Sequence, residues 1–407
     1  MIVLVLNAGS SSQKSCLYKL GGSIPDIPSE PLWEAHLDWT VAKDGGILTV
    51  KSNGIKQQIT VTERDTALQV LLDTLITGDT KVLSSLNEID VVGHRVVHGG
   101  AKYSQATVID VDVKQVISDL IPLAPNHNPA HLQGINTIEK ILPQVTQVAV
   151  FDTAFHTSIP EVAKVYPLPY EYYQKGIQRY GFHGISHQYC ANRTAQILQQ
   201  PLESLKIVTC HLGNGCSLAA IKDGICIDTT MGFSPLEGLM MGTRCGSIDP
   251  QIVIYLMQEY GLSTDEVNRI LNKESGLKGV SGISADLRAI INASAEGNKQ
   301  ASLAFDIYIH RLKSAIGAMV ASLNGLDALV FTAGIGENSS IVREKTCEGL
   351  SYLGLQLDLA KNNNQPLNRN IATKNSLPVL VIHTQEDWAI AVASHEQFSK
   401  REKERSL

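Results

Sequence analysis

Short runs of β-branched and leucine residues punctuate the chain, and most of them stop at a glycine-rich or polar turn. The first, residues 1–6, ends at Asn7-Ala8-Gly9-Ser10-Ser11-Ser12, and apolar residues resume at Cys16-Leu17-Tyr18. This predicts strand, tight turn, strand. Val91-Val92 and Val96-Val97 bracket His94-Arg95, and residues 148–151 end on Asp152. Ile207-Val208 leads into a second small-residue turn, residues 328–331 into a third, and residues 379–382 into Gln385-Glu386-Asp387. Helical spacing lies between these runs. Phe305, Ile309, Leu312, Ile316, Met319 and Leu323 recur every three or four residues, which predicts a helix over about 300–324 with Gly325 as its stop. Ser263 with Glu266 forms a capping-box start for another, and the run from Ala389 is helical in pattern. Residues 20–30 and 362–370 read as polar surface loops.

Strands interspersed with helices indicate an α/β architecture with ligands at the carboxyl ends of the strands. The strand-turn-strand pattern occurs twice, near Asn7 and near Asn214, which suggests a duplicated domain with a cleft between the halves. A length of 407 residues suits two domains. The net charge of −6 makes a poor general binder of nucleic acid. Seven cysteines, none in a C-x-x-C pair, argue against a disulfide framework or zinc site and for a reducing cytoplasm. Residues 1–7 carry no basic leader or cleavage pattern, so no signal peptide is expected. No apolar run reaches the length of a membrane span.

The three turns supply candidate chemistry. A phosphate needs inward-pointing backbone N–H groups, and glycine lets the backbone approach. The first turn adds hydroxyls, with Lys14 as a following point charge. The second is His211, Leu212, Gly213, Asn214 and Gly215. The third is Gly334, Ile335, Gly336, Glu337 and Asn338, between a strand and a helix expected from Ser339. None matches the P-loop or dinucleotide fingerprints. Arg95 lies between valine pairs and Arg244 in the nearly uncharged stretch 231–247. For each, an internal ion pair and an anionic ligand are both open, because buried arginine needs an anionic partner. Asp152 at its strand edge suits a nucleophile-orienting, proton-accepting or metal-binding role, or a plain turn. Glu386 with Asn7 forms an oxygen set suited to Mg²⁺. His183 and His187 are four apart, but Gly184 argues against a regular helix there and the glutamate of H-E-x-x-H is missing. A hydrogen bond from His183 to a phosphoryl oxygen is the better functional use.

Taken together, LNAGSSSQK from Leu6, GHRVVHGG from Gly93, HNPA from His127, FDTAFH from Phe151, RYGFHGISH from Arg179, HLGNG from His211, DTTMGFSPLEGLMMGTR from Asp228, SGISADLR from Ser281 and FTAGIGEN from Phe331 closely resemble the acetate kinase family. The resemblance implies two similar RNase H-like, actin-like ATPase domains flanking a nucleotide cleft, divided as 1–153 with 387–407, and 154–386. It implies reversible transfer from ATP to acetate, giving ADP and acetyl phosphate, with Mg²⁺ or Mn²⁺, in a cytoplasmic homodimer; propionate or another short acid is the alternative acceptor. By position it implies metal ligands at Asn7 and Glu386. ATP contacts fall at Lys14, at His211 through Gly215, at Asp286, Leu287 and Arg288, and at Gly334 through Asn338. The catalytic set falls at Asp152, His183 and Arg244. Acid binding falls at Arg95, with Val97, Asn126, Phe182 and Pro235 around the acyl group. The family usually carries Leu where Asn126 stands; the polar side chain could narrow the pocket, hold a water or favour another acid. Cys245 replaces a common Ser, the usual acidic residue near Ser247 is absent, and Gln385 and Asp387 replace the common Asn and Glu.

Overall fold

The apolar runs pair into two mixed sheets. A computed structural model of the chain describes all residues except 10–11, 43–44, 126, 365–366 and 406–407. It divides into two compact units, Met1–Ala154 with Gln385–Leu407, and Phe155–Thr384.

In the first unit the strands are β1 (Ile2–Ala8), β2 (Ser12–Lys19), β3 (Trp33–Ala42), β4 (Gly45–Ser52), β5 (Ile55–Val61), β6 (Val91–Val96), β7 (Thr107–Val108) and β8 (Thr146–Phe151). Their order across the sheet is β5-β4-β3-β2-β1-β6-β8-β7. β1 runs antiparallel to β2 and parallel to β6, and β6 runs parallel to β8. The central strands are buried on both faces, as parallel strands between helices must be. Leu4, Leu6 and Val92 join a core with Trp33, Leu71 and Leu75, capped by helices Ala67–Ile76 and Asn128–Ile141. The C-terminal helix Glu386–Arg405 packs on β1, β6 and β8. Gly93 on β6 makes that approach feasible: a Cβ there would lie 2.9 Å from Ile390 Cγ2.

The second unit repeats the plan with β9 (Lys206–Leu212), β10 (Cys216–Lys222), β11 (Ile225–Thr229), β12 (Ala328–Thr332), β13 (Arg369–Asn370) and β14 (Val379–Val381), ordered β11-β10-β9-β12-β14-β13. β9 pairs antiparallel with β10 and parallel with β12, and β12 parallel with β14. The sequences β3-β2-β1-β6-β8 and β11-β10-β9-β12-β14 therefore share one order and one set of directions, the RNase H-like pattern. Helix Gly184–Leu198 contributes Cys190, Ala191 and Ala195 to a core with Ile207, Ile221, Val330 and Leu380. Helix Lys299–Leu323 packs on β10. It buries Ile309, Leu312, Ile316, Met319 and Leu323 as its spacing predicted, while Phe305 is half-buried.

Three expectations need correction. Glu386 belongs to the first unit, not the second, because it opens the helix that packs on β1 and β6. Gly184 does not interrupt a helix; it is the first residue of one, with His183 as the left-handed N-cap (φ 58°). Residues 334–338 are not a turn before a helix but lie within the short helix Ala333–Asn338, entered through Ala333 at φ 63°.

Candidate active site

Asn7, Arg95 and Asp152 sit at the carboxyl ends of three adjacent strands, β1, β6 and β8, so the parallel register brings them side by side. Arg95 grips Asp152 through Nε (3.1 and 3.2 Å) and Nη2 (2.6 Å), and its Nη1 donates to Asn7 Oδ1 at 3.3 Å. Asn7 Nδ2 donates to Asp387 Oδ1 at 2.8 Å, and Lys14, opposite Asn7 in the hairpin, pairs with Asp387 Oδ2 at 2.6 Å. The first unit thus holds one continuous polar chain, Asp152–Arg95–Asn7–Asp387–Lys14. Asp387, in the first turn of the C-terminal helix, is a link to which sequence reasoning assigned no site role; it stood out there only as an aspartate beside Glu386 where the family commonly has Glu.

Electrostatics follow from that chain. Burial alone would lower the Arg95 pKa, but the charges of Asp152 and Glu386 more than offset it and hold the guanidinium above its ordinary value. Burial likewise opposes the Lys14 ammonium, and Asp387 outweighs it, raising it to about 12. Glu386 is pushed up to about 7 by burial, pulled down by Arg95, and pushed up again by Asp152 and Asp387. Glu386 offers a carboxylate whose charge Asp152 and Asp387 oppose, and Asn7 an amide oxygen; both are oxygen donors of the kind a hard divalent cation takes. Among the described residues no cluster of three or more His, Cys, Asp or Glu has metal-binding geometry.

The second unit builds a different kind of site. The turn Gly213-Asn214-Gly215 joins β9 to β10, closed by Gly213 N donating to Gly215 O at 3.0 Å. His183 stacks on His211, with ring centroids 4.1 Å apart and planes 18° from parallel. A Cβ placed on Gly215 would lie 3.4 Å from Arg244 Nη1 and 3.4 Å from His183 Nε2. The imidazole edge and the guanidinium therefore converge on the backbone of this one glycine. Arg244 donates to Pro235 O at 2.8 Å. Among the described residues no carboxylate pairs with it, and burial lowers its pKa. Gly242 N donates to Asn214 O at 3.3 Å, which ties the Arg244 loop to the turn.

Behind that loop, Arg179 donates to the carbonyls of Thr229, Thr230 and Met231 and to Glu237 at 3.0 Å, and Tyr166 donates to Glu237. Two further segments border the turn and the Arg244 loop. A Cβ on Gly213 would lie 3.9 Å from Ala333 Cβ, and one on Gly242 3.2 Å from Ala285 O. Helix Ala333–Asn338 begins at the end of β12, and the N–H groups of a first helical turn have no acceptor inside the helix. Glu337 is turned inward: Oε1 accepts from Ala333 N (2.9 Å) and Thr384 N (3.0 Å), and Oε2 meets His383 Nδ1 at 2.6 Å. Asp286 caps helix Leu287–Ala295; Leu287 is buried and the Arg288 side chain is open to solvent, paired to Asp286 at 2.6 Å. Of the expected acyl-pocket residues, Val97 is buried in the first unit and Phe182 in the second, where Pro235 is half-buried; Asn126 lies outside the described residues, as do Ser10 and Ser11.

The profile of the acetokinase family matches residues 2–392. The chain belongs to the acetokinase family. An acetate kinase of Rippkaea orientalis is 63% identical over 395 residues, covering 96% of this chain and 98% of the relative. One of Synechocystis is 58% identical, covering 96% of each. Among solved structures, the acetate kinase of Porphyromonas gingivalis superposes with a TM-score of 0.89 at 40% identity, covering 97% of this chain and 99% of that one. A propionate kinase from Francisella tularensis gives 0.88 at 39%, with the same coverage. Membership of the acetokinase family makes the chain a phosphotransferase with a carboxyl acceptor.

Proposed function

We propose that this chain is an acetate kinase, moving the terminal phosphoryl group of ATP reversibly to acetate to give acetyl phosphate and ADP. The observation that carries the reading is Arg244. It is a half-buried guanidinium without a carboxylate partner among the described residues, aimed with His183 at a glycine-turn backbone. Such a cation suits an anion that arrives and leaves.

Phosphoryl transfer asks mainly for positioning and charge stabilisation. Arg244 and His183 donate to the equatorial oxygens of the group in flight. The ATP phosphates lie on the turn of His211 through Gly215 and on Gly334 through Asn338, with Lys14 as a further cation; Asp286, Leu287 and Arg288 border the nucleotide. In the first unit, Arg95 uses three N–H groups on Asp152 and Asn7. One N–H on each terminal nitrogen remains, the geometry that receives a carboxylate in bidentate fashion. Acetate is already ionised at neutral pH, so no base is needed to activate it; Asp152 acts by fixing Arg95. Mg²⁺, held by Asn7 and Glu386, would neutralise phosphate charge when bound. Val97 in the first unit, and Phe182 and Pro235 in the second, are apolar side chains suited to an acyl group.

A longer acid is the second reading, supported by the likeness to a propionate kinase. Trapping acyl phosphate as hydroxamate, with ATP, Mg²⁺ and acids of two to four carbons, tests both. Acetate should give the highest kcat/KM; a higher value for propionate would move the acceptor, and no hydroxamate from any acid would end the reading.

We further place the enzyme in the cytoplasm as a homodimer. All seven cysteines are free thiols, as a reducing compartment keeps them. Helix Pro250–Glu259 has no buried residue, yet exposes Ile252, Ile254, Tyr255 and Met257, an apolar surface suited to a second copy. Ile254→Glu should yield a monomer by light scattering.

A further inference from the structure

Behind His183 runs a file of side chains that phosphate binding alone does not require. His183 Nδ1 lies 2.8 Å from Ser217 Oγ, and the same hydroxyl lies 2.8 Å from His187 Nε2. His187 Nδ1 in turn lies 2.7 Å from Thr209 Oγ1. Thr209, Ser217 and His187 are fully buried. Thr209 stands on β9, Ser217 on β10 opposite His211, and His187 one turn into the helix that His183 caps.

A serine hydroxyl carries one proton, so between two ring nitrogens it donates to one and accepts from the other. If Ser217 donated to His187, His183 would present its proton at Nδ1. A neutral His183 would then offer a lone pair at Nε2, toward an oxygen that can only accept. If Ser217 donates to His183 Nδ1, the proton of His183 lies on Nε2, the atom that converges with Arg244 on Gly215. Ser217 then accepts from His187 Nε2–H, and His187 Nδ1 accepts from Thr209. This second arrangement needs His187 neutral with a single ring proton. Burial, and after it the neighbouring His156 and His211, lower its pKa well below the ordinary value. The arrangement also supplies an N–H at Nε2 without a second positive charge beside Arg244 and against the stacked ring of His211.

We propose that Ser217 and His187, with Thr209 behind them, are positioning residues that fix His183 as the tautomer protonated at Nε2. The hydrogen bonds then run one way, from Thr209 through His187 and Ser217 to His183, and end on a phosphoryl oxygen. The choice of tautomer rests on the phosphotransferase reading, but it is observed independently of activity.

Full-length protein labelled with ¹⁵N-histidine tests this by two-bond ¹H–¹⁵N spectra, with the His183 signals assigned through His183→Gln. Wild type should show a protonated Nε2 and an unprotonated Nδ1. Ser217→Ala should lose that fixed tautomer and lower kcat about 10- to 100-fold, with KM for ATP changed less than about twofold. Thr209→Val, which keeps the side-chain volume, should shift the tautomer in the same direction and carries the test if Ser217→Ala does not fold. A wild-type His183 protonated at Nδ1, or an unchanged tautomer in both folded variants, would overturn the proposal. Wild type that shows the Nε2 proton but makes no acyl phosphate would instead sink the function and leave the positioning role standing.

Discussion

Each unit presents a half-buried arginine, Arg95 on β6 in the first and Arg244 in the loop after β11 in the second, and the two live in opposite electrostatic settings. Arg95 is bound by a carboxylate and an amide, in a cluster where Asp152, Glu386 and Asp387 face Arg95 and Lys14. Arg244 has a carbonyl and a thioether for neighbours, with the edge of the His183 imidazole and glycine backbone beside it. The first site is charge-compensated before any ligand arrives, which suits a metal and a weakly charged acid. The second site is left in want of an anion, which suits a phosphoryl group whose negative charge shifts during transfer. The same residue type therefore suits two jobs, and its partners decide which.

That contrast predicts different mutant behaviour. The largest effect should come from Asp152→Ala. It strands the buried Arg95 guanidinium, and breaking such a pair costs about 3–5 kcal/mol, to be read from urea denaturation, with activity falling alongside. Arg244→Ala should lower kcat about 10²–10³-fold, as for loss of one preorganised donor, while the same denaturation curve moves by only about 1 kcal/mol, the lost hydrogen bond to Pro235 O. If Arg244→Ala unfolds the protein as Asp152→Ala does, the distinction between the two sites fails.

Acid sharpens the picture of the first unit. His94, next to Arg95, bonds Gln147 Oε1 at 2.8 Å, and burial holds its pKa down at about 4. The unfolded chain takes up the proton first as pH falls through about 6.5. The stability His94 contributes is thus full above that value and drains toward pH 4. Between pH 7 and pH 5 it should cost about 2 kcal/mol, and in paired denaturation curves His94→Gln should remove that share of a slope to which burial of His98, His131 and His187 also contributes. The smallest effect is expected from Lys14→Ala, whose ammonium is half exposed: about 0–1 kcal/mol in stability, with KM for ATP rising more than the denaturation midpoint falls.

Much of this was legible in the sequence, because burial on both faces writes a strand as a plain apolar run. Residues 91–97, 148–151, 207–208 and 328–331 became β6, β8, β9 and β12, and the echo between Asn7 and Asn214 became a shared strand order. The turns and arginines stood out because charge and glycine are rare in such runs. What could not be read was partnership. Nothing local says that Arg95 meets a carboxylate and Arg244 does not, since Asp152 lies 57 residues from Arg95. Ser217 sits in Cys216-Ser217-Leu218 as an ordinary small strand residue, and only the fold sets it between two imidazoles. Gly184 misled because its flexibility argues against a helix interior, whereas at a helix start that cost is small. The capping box at Ser263 held, but the helix it opens, Thr264–Arg269, lasts only six residues.

The central claim is transfer to a carboxylate rather than hydrolysis, and ³¹P NMR of the wild-type protein with ATP and Mg²⁺, with and without acetate, tests it most directly. The account predicts an acetyl phosphate resonance growing in step with ADP only when acetate is present. ADP and inorganic phosphate appearing at the same rate whether or not acetate is added would contradict it.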